Sequence, residues 1–317
     1  MVSIIIPTYR GEKNILVAVK SALALSNVDK EIIVVDDNGI NTNDQKMTYE
    51  VLKKYIVQNK ITYFTHERNI NGSAARNTGF RLSRGRYIVF LDDDDYLFPN
   101  KIERQIKALE CSGSQNGFSI TAGYYVHDNG KGYVKRCKKQ KHFFYNYLLE
   151  KNYFSTSALV IRREIVEALN GFDESFKRHQ DWEFCSRMMR TSQALYIDEP
   201  LFIKYAKERN TTIDLSKRVD QLEYFFEKIC KTWEECFTKQ EIKKIKNFKY
   251  RQIFLSYILN QEIIQGIKFL YCKTGSYGEI FLGIVELIMF ILRRIISGNV
   301  KITYSYNEIR KLLEIEE

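Results

Sequence analysis

Along the first hundred residues, continuous runs of Val and Ile alternate with segments whose apolar positions recur every three to four residues. Val2 to Pro7 is an unbroken apolar run and reads as a strand buried on both faces. Glu12 to Leu25 carries helical periodicity, and Glu31 to Asp36 (EIIVVD) is a second buried strand. Gln45 to Val57 reads as a helix, Ile61 to Thr65 as a short strand, Asn71 to Ser83 as a helix and Tyr87 to Leu91 as a strand. Such alternation predicts a mostly parallel α/β sheet with helices on both faces. After Asp95 the rhythm changes. Pro99 opens a helix to about Cys111, Ser119 to Tyr125 and Ser155 to Ile161 read as strands, and Asp181 to Arg190 as a short helix. Past about Leu215 the strand signal fades and long charged-aromatic segments such as YFFEKICKTWEE read as helices. The expected organisation is an α/β domain over 1–212 and a helical module over 213–317.

Within that module, Glu279 to Ile296 (EIFLGIVELIMFILRRII) is strongly apolar, but Glu286 interrupts it and Arg293 and Arg294 close it. Its uncharged runs are too short to span a bilayer. The pattern admits two readings: a core or oligomer-interface helix, or a helix lying in the membrane interface with both arginines near anionic headgroups.

Composition narrows the partners. Hydrophobic content of 44% and aromatic content of 14% over 317 residues support a real core. A formal charge of +10 suits nucleic acid, anionic lipid or phosphorylated small molecules. No zinc-finger spacing or RNA-binding aromatic signature accompanies it, so no nucleic-acid partner is expected. The six cysteines include no CxxC pair and read as reduced thiols. MVSIIIPTYRGE holds too short an apolar core for a signal peptide, so the expected location is cytoplasmic, with peripheral attachment to the inner face of the plasma membrane under the second reading of 279–296.

The chain places four carboxylates, Asp92 to Asp95, directly after the apolar strand at 87–91. Adjacent like charges repel, and desolvation adds to the cost, so positive charge is expected there. In open parallel sheets ligands bind at the carboxyl ends of strands. Pro7, Thr8 and Tyr9 follow the first strand, Asp36 and Asp37 end the second, and Arg76 lies in the NGSAARNTG segment. Their chemistry reads as a nucleotide-diphosphate site. Asp37 can accept the imide N–H of uracil, Tyr9 offers a flat face and Thr8 a hydroxyl. Arg76 can hold a base or phosphate through its planar fork. The Asp92–Asp95 cluster can bind Mg or Mn, which share coordination with substrate phosphates and stabilise a departing diphosphate.

The ordered set PTY, VVDDN, GSAARNTG, YIVFLDDDD, GFDESF and QDWEF resembles the inverting family 2 glycosyltransferases of GT-A fold, of the bacterial cell-surface polysaccharide type. The resemblance implies that Thr8, Tyr9 and Asp37 contact the nucleobase, with Asp36 beside them, and that Arg76 is the arginine of the ARN segment. Asp92 and Asp94 match the DxD carboxylates: Asp94 as direct metal ligand, Asp92 toward the ribose or a metal-bound water. Asp93 fills a position often held by Ser or Ala, and Asp95 is read as structural, bonding backbone at the turn. Asp181 matches the general base, with Gln180 where Glu is usual; the plain alternative is that Asp181 caps the following helix. The resemblance implies a nucleotide-sugar donor, a UDP-sugar first among them, and as acceptor a hydroxyl on a glycan or lipid-linked glycan.

The family's basic-x-His element is absent from Phe202 to Thr212, where Lys204, Lys207 or Arg209 would supply positive charge. His66 and His142 read as surface residues, and His179 as an exposed loop residue or an acceptor-site one. Trp182 reads as core or as a sugar-stacking ring, and Ser155 to Ser157 match a segment near the acceptor. Two rivals stand: a nucleotidyltransferase, which would need a Gly-rich loop where only Gly11 occurs, and a catalytically silent nucleotide-binding scaffold, which would need a lost base or a broken DxD. Homo-oligomerisation through the helical module remains the other reading of its apolar segment.

Overall fold

The computed structural model describes residues 1–127, 132–137, 139, 141–151, 154–206 and 215–296, with side chains left out at 231 and 290–296. Lys207 and Arg209, and the side chains of Arg293 and Arg294, therefore lie outside the described residues.

The elements run β1 (Val2–Thr8), α1 (Ile15–Leu23), β2 (Lys30–Asp36), α2 (Asn43–Val57), β3 (Thr62–Thr65), α3 (Gly72–Leu82), β4 (Tyr87–Phe90), β5 (Asp95–Leu97) and α4 (Lys101–Cys111). Then follow β6 (Asn116–His127), β7 (Gly132–Lys135), α5 (Phe143–Leu148), a 3-10 turn (Thr156–Ala158), β8 (Leu159–Arg162), α6 (Arg163–Ala168), α7 (Gln180–Thr191) and β9 (Gln193–Ala206). Four helices complete the order: α8 (Leu215–Glu234), α9 (Lys239–Leu259), α10 (Ile263–Thr274) and α11 (Tyr277–Ile296).

The strands form one sheet in the order β3-β2-β1-β4-β8-β6-β9-β5, with β7 on β6. From β3 to β4 every pairing is parallel, as is β6 with β9; β8 enters antiparallel between β4 and β6, and β5 is antiparallel to β9. Ile4, Ile5 and Ile6 are all fully buried, so both faces of β1 are covered. That is why its sequence shows no alternation. α3 lies close on β1 because Gly79 has no side chain: a Cβ there would meet Ile5 Cγ2 at 2.3 Å. Asn71 caps α3 by accepting the Ala74 N–H at 3.0 Å.

Several expected boundaries move. The helix after Pro99 starts at Lys101 behind Asn100. Ser155 to Ala158 is a 3-10 turn with its Ser155 lead-in, and the strand begins at Leu159. β5 and the 14-residue β9 carry no clear strand signal in the sequence.

The described residues fall into two compact units. The sheet and its helices make the first. α8 to α11, with Leu148–Lys151, make the second. Its core holds Trp233, Phe225, Phe226 and Phe254. α9 opens with a capping box between Thr238 and Glu241. Arg251 of α9 is ion-paired to both Glu279 and Glu286 of α11, and Asn247 Nδ2 donates to Glu279 at 2.8 Å. Among the described residues no helix is long and apolar enough to cross a membrane.

Candidate active site

Parallel pairing of β1 with β2 and β4 brings the carboxyl ends of all three strands to one edge, with Thr8 opposite Asp36. Both acids that end β2 are buried there and already bonded. Asp36 accepts the Asn38 N–H at 2.9 Å and the Tyr63 hydroxyl at 2.5 Å. Burial raises its pKa, against the pull of those two bonds. Asp37 Oδ1 accepts the Ile70 N–H at 3.0 Å and faces His66 Nδ1 at 2.7 Å, while Oδ2 accepts from Asn69 Nδ2 at 2.8 Å. His66 Nε2 lies 2.9 Å from Thr78 Oγ1. His66 is thus buried, not a surface residue: it ties the end of β2 to α3, the helix that carries Arg76. His142 is exposed, as expected. Pro7 is half-buried inside β1, and Tyr9 is exposed with the Arg10 guanidinium 5.1 Å from its ring centroid.

The positive charge expected at the aspartate run is supplied by two side chains. Arg76 Nη2 donates to Asp92 Oδ1 at 2.8 Å, and Lys204 Nζ donates to Asp92 Oδ2 at 3.0 Å and to Asp95 Oδ2 at 3.3 Å. Burial by itself would raise the Asp92 pKa, but Lys204 and Arg76 outweigh it and hold the carboxyl well below its usual range. Burial pushes Asp95 up to about 8; Lys204 opposes this, and Asp92 and Asp94 add to it. Burial opposes the charge on Lys204, but Asp95 and Asp92 raise its pKa well above the ordinary lysine value. Asp95 is therefore fully buried at the start of β5 with Lys204 as its side-chain partner, and is not a turn residue bonding backbone alone. Asp93 Oδ2 accepts the Thr8 hydroxyl at 2.6 Å. Only glycine at position 11 permits this, since a Cβ there would lie 2.0 Å from Asp93 Oδ2 and 2.3 Å from Thr8 Oγ1. Asp94 is buried beside them.

Mn or Mg takes oxygen ligands and keeps positions for substrate phosphates. Among the described residues no cluster of three His, Cys, Asp or Glu side chains could hold a metal unaided. The carboxylates present are all-oxygen donors, and both oxygens of Asp92 already carry cations. An all-oxygen donor set suits a hard cation, and with both Asp92 oxygens already bonded such an ion would need phosphate to complete its coordination.

Asp181 is the second residue of α7. The capping position is His179, in the left-handed region at φ 61°, so Asp181 is not the cap. The His179 ring stacks on Trp182 with centroids 4.4 Å apart. Gln180 Oε1 accepts from Arg76 Nη1 at 3.3 Å, and its Nε2 donates to the Phe176 carbonyl at 2.9 Å. One cavity of about 160 Å³ collects these groups. Arg76, Asp92 and Asp181 line it with Lys177, Arg178, His179 and Gln180, and Ser155 and Thr156 complete the wall. Burial lowers the Arg178 pKa, and the Asp181 carboxylate pulls it the other way. Lys177 and Arg178 went unread in the sequence, although a basic pair directly before HQDWEF was there to be noticed.

A relative from Rickettsia prowazekii, the uncharacterized glycosyltransferase RP339, is 29% identical over 98% of this chain and 96% of its own. The amylovoran biosynthesis glycosyltransferase AmsB of Erwinia amylovora is 28% identical over 58% of this chain and 62% of its own. Among solved structures, S. aureus TarS 1-349 in complex with UDP superposes with a TM-score of 0.53 at 16% identity, covering 87% of this chain and 92% of that one. The Pyrobaculum calidifontis mannosyltransferase PcManGT, in complex with GDP-Man and Mn2+, gives 0.55 at 15% identity over 99% and 83%. These likenesses bear out the GT-A architecture with its C-terminal helices. The family model for glycosyl transferase family 2 matches residues 3–169, more than half of the sequence, and the chain belongs to that family and is a glycosyltransferase.

Proposed function

We propose that this enzyme moves a sugar from a nucleotide diphosphate, a UDP-sugar, to a hydroxyl of a glycan or lipid-linked glycan with inversion at the anomeric carbon, in the assembly of a bacterial surface polysaccharide. The observation that carries the reading is a cavity lined by both Asp92 and Asp181. A base and a diphosphate-binding edge have to face one another across the reacting carbon, and this cavity holds a carboxylate of each kind. Asp181 takes the proton from the acceptor hydroxyl as it attacks. Arg76, Lys177 and Arg178 set positive charge on the wall where a diphosphate leaves. Tyr9, exposed at the end of β1, offers its ring to the base, and Asp36 and Asp37 hold the β2 end that the nucleoside meets. A divalent ion held by Asp94 and Asp92 would neutralise the departing diphosphate. In the same proposal the sheet unit catalyses, and the helical unit serves membrane-surface association or oligomerisation.

UDP as donor nucleotide is supported by the UDP complex of TarS, and polysaccharide assembly by AmsB. The test is release of UDP from a panel of UDP-sugars, with GDP-mannose in parallel, in Mn and in EDTA, for wild type and Asp94→Asn. Mn-dependent UDP release lost in Asp94→Asn is expected. Turnover of GDP-mannose alone would overturn the UDP assignment, and full activity in EDTA would overturn the metal.

A further inference from the structure

α11 is amphipathic the wrong way round for a helix in water. Its two carboxylates, Glu279 and Glu286, turn inward to Arg251 of α9. Ile280 and Gly283 share that inward side and are buried. The opposite side presents Phe281, Leu282, Ile284, Val285, Ile288 and Met289, every one of them exposed, with Phe281 at 66%. At 100° per residue these six positions cover about 160° of the helix surface without one charged residue. Helices of water-facing proteins put apolar residues in and charges out; this one spends its only acids on an internal arginine and faces outward with hydrocarbon.

The neighbouring helix extends the surface. Ile263, Ile264, Ile267 and Tyr271 of α10 are exposed, and the Tyr271 ring packs on Tyr277 at 4.6 Å between centroids, joining the two stripes. Exposed Lys268 lies one helical turn beyond Ile264 and borders the α10 stripe. A monomer in water rarely exposes a continuous apolar surface of this extent.

We propose that the outer face of α10 and α11 docks on an anionic lipid surface, lying in its interface with the apolar stripe among the acyl chains and Lys268 at headgroup level. Charge decides between lipid and a second copy. The chain carries +10, so two copies repel where anionic headgroups attract. Tyrosines at the junction suit the boundary between hydrocarbon and water. Among the described residues no helix is long and apolar enough to cross a bilayer, so the proposed contact lies in the interface. This inference stands apart from the donor chemistry, since none of its residues lines the candidate active site.

The experiment is flotation of the full-length protein with phosphatidylcholine vesicles, with and without phosphatidylglycerol, across a salt series, beside sedimentation velocity without lipid. Wild type is expected to float with the anionic vesicles and to be a monomer alone. Phe281→Glu combined with Ile288→Glu should weaken flotation at least about tenfold. Lys268→Glu should weaken it on anionic vesicles, with the effect shrinking as salt rises. Thermal melts check that the variants fold, and UDP binding reports separately on the active site. A dimer that dissociates in the Phe281→Glu variant, without flotation of wild type, would overturn the proposal in favour of a second copy. A monomer that ignores vesicles, and melts lower when Phe281 is charged, would overturn it in favour of residues 297–317 of the chain itself.

Discussion

Thr8 and Asp93, 85 positions apart, are joined by a 2.6 Å hydrogen bond that passes directly over Gly11. The hydroxyl donates and the carboxylate accepts, so the end of β1 is tied to the middle of the aspartate run. Gly11→Ala would set a methyl group 2.0 Å from Asp93 Oδ2, a contact that forces one partner aside. We expect Gly11→Ala to weaken UDP binding about tenfold. Thr8→Val, which removes only the bond, should cost about 1 kcal/mol of stability. Calorimetric titration and urea melts measure the two; equal UDP affinity in wild type and Gly11→Ala would mean the link does not shape the site.

Asp181 stands inside the first turn of α7, behind His179 at the cap. Replacing it by Asn removes a base without removing a cap. Asp181→Asn should therefore melt like wild type and bind donor like wild type, with turnover down by about two to four powers of ten. Transfer at half of the wild-type rate would place the base elsewhere.

Lys204 serves Asp92 and Asp95 together. Lys204→Met takes one of two cations from the ionised Asp92 and the hydrogen bond from the buried Asp95, a loss on the order of 2 kcal/mol. Adding Asp95→Asn should cost little beyond Lys204→Met alone, because Asp95 then has no lysine left to bond. Chemical denaturation of the two single variants and the double variant closes the cycle. Strict additivity would show that the pair is not coupled.

Lys101 is fully buried at the start of α4, with Gln105 Oε1 accepting from its Nζ at 2.6 Å. Burial lowers its pKa from 10.5 to about 7. Between those two values the unfolded chain holds a proton that the folded chain does not, so stability rises with pH across the interval and is lost as pH falls toward 7. Urea midpoints of wild type should climb from neutral to alkaline pH relative to Lys101→Met, which lacks the titrating group. Parallel curves would show that Lys101 keeps its charge when folded.

Much of the sheet can be read from the chain because β1, β2 and β4 are buried on both faces and show it as unbroken Val and Ile. β5 is hidden, since it opens with an aspartate inside a run of four and is neutralised by a lysine over a hundred residues away. β9 is hidden by Asp198, Glu199 and Pro200 in its middle. The sheet absorbs them through a register shift opposite Thr121 and Ala122. The rim acids and Arg76 are legible by residue type. The buried state of His66 is not, because its polar neighbours Thr65, Glu67, Arg68 and Asn69 look like an open loop and its partners come from Asp37 and Thr78.

Lys204 reaches the aspartates only because β9 pairs with β5 in one register, Asp95 opposite Lys204 and Tyr96 opposite Ile203. Neighbouring residues of a strand point to opposite faces. A slip of one residue along β9 would bring Ile203 or Tyr205 to the place of the ammonium and swing the lysine to the far side. The electrostatics of the rim thus depend on the number of residues between Gln193 and Lys204 as much as on their kind. Deleting a single residue there, with the register shifts beside Ala122 left as they are, would put the strand out of phase and turn the lysine away from the carboxylates.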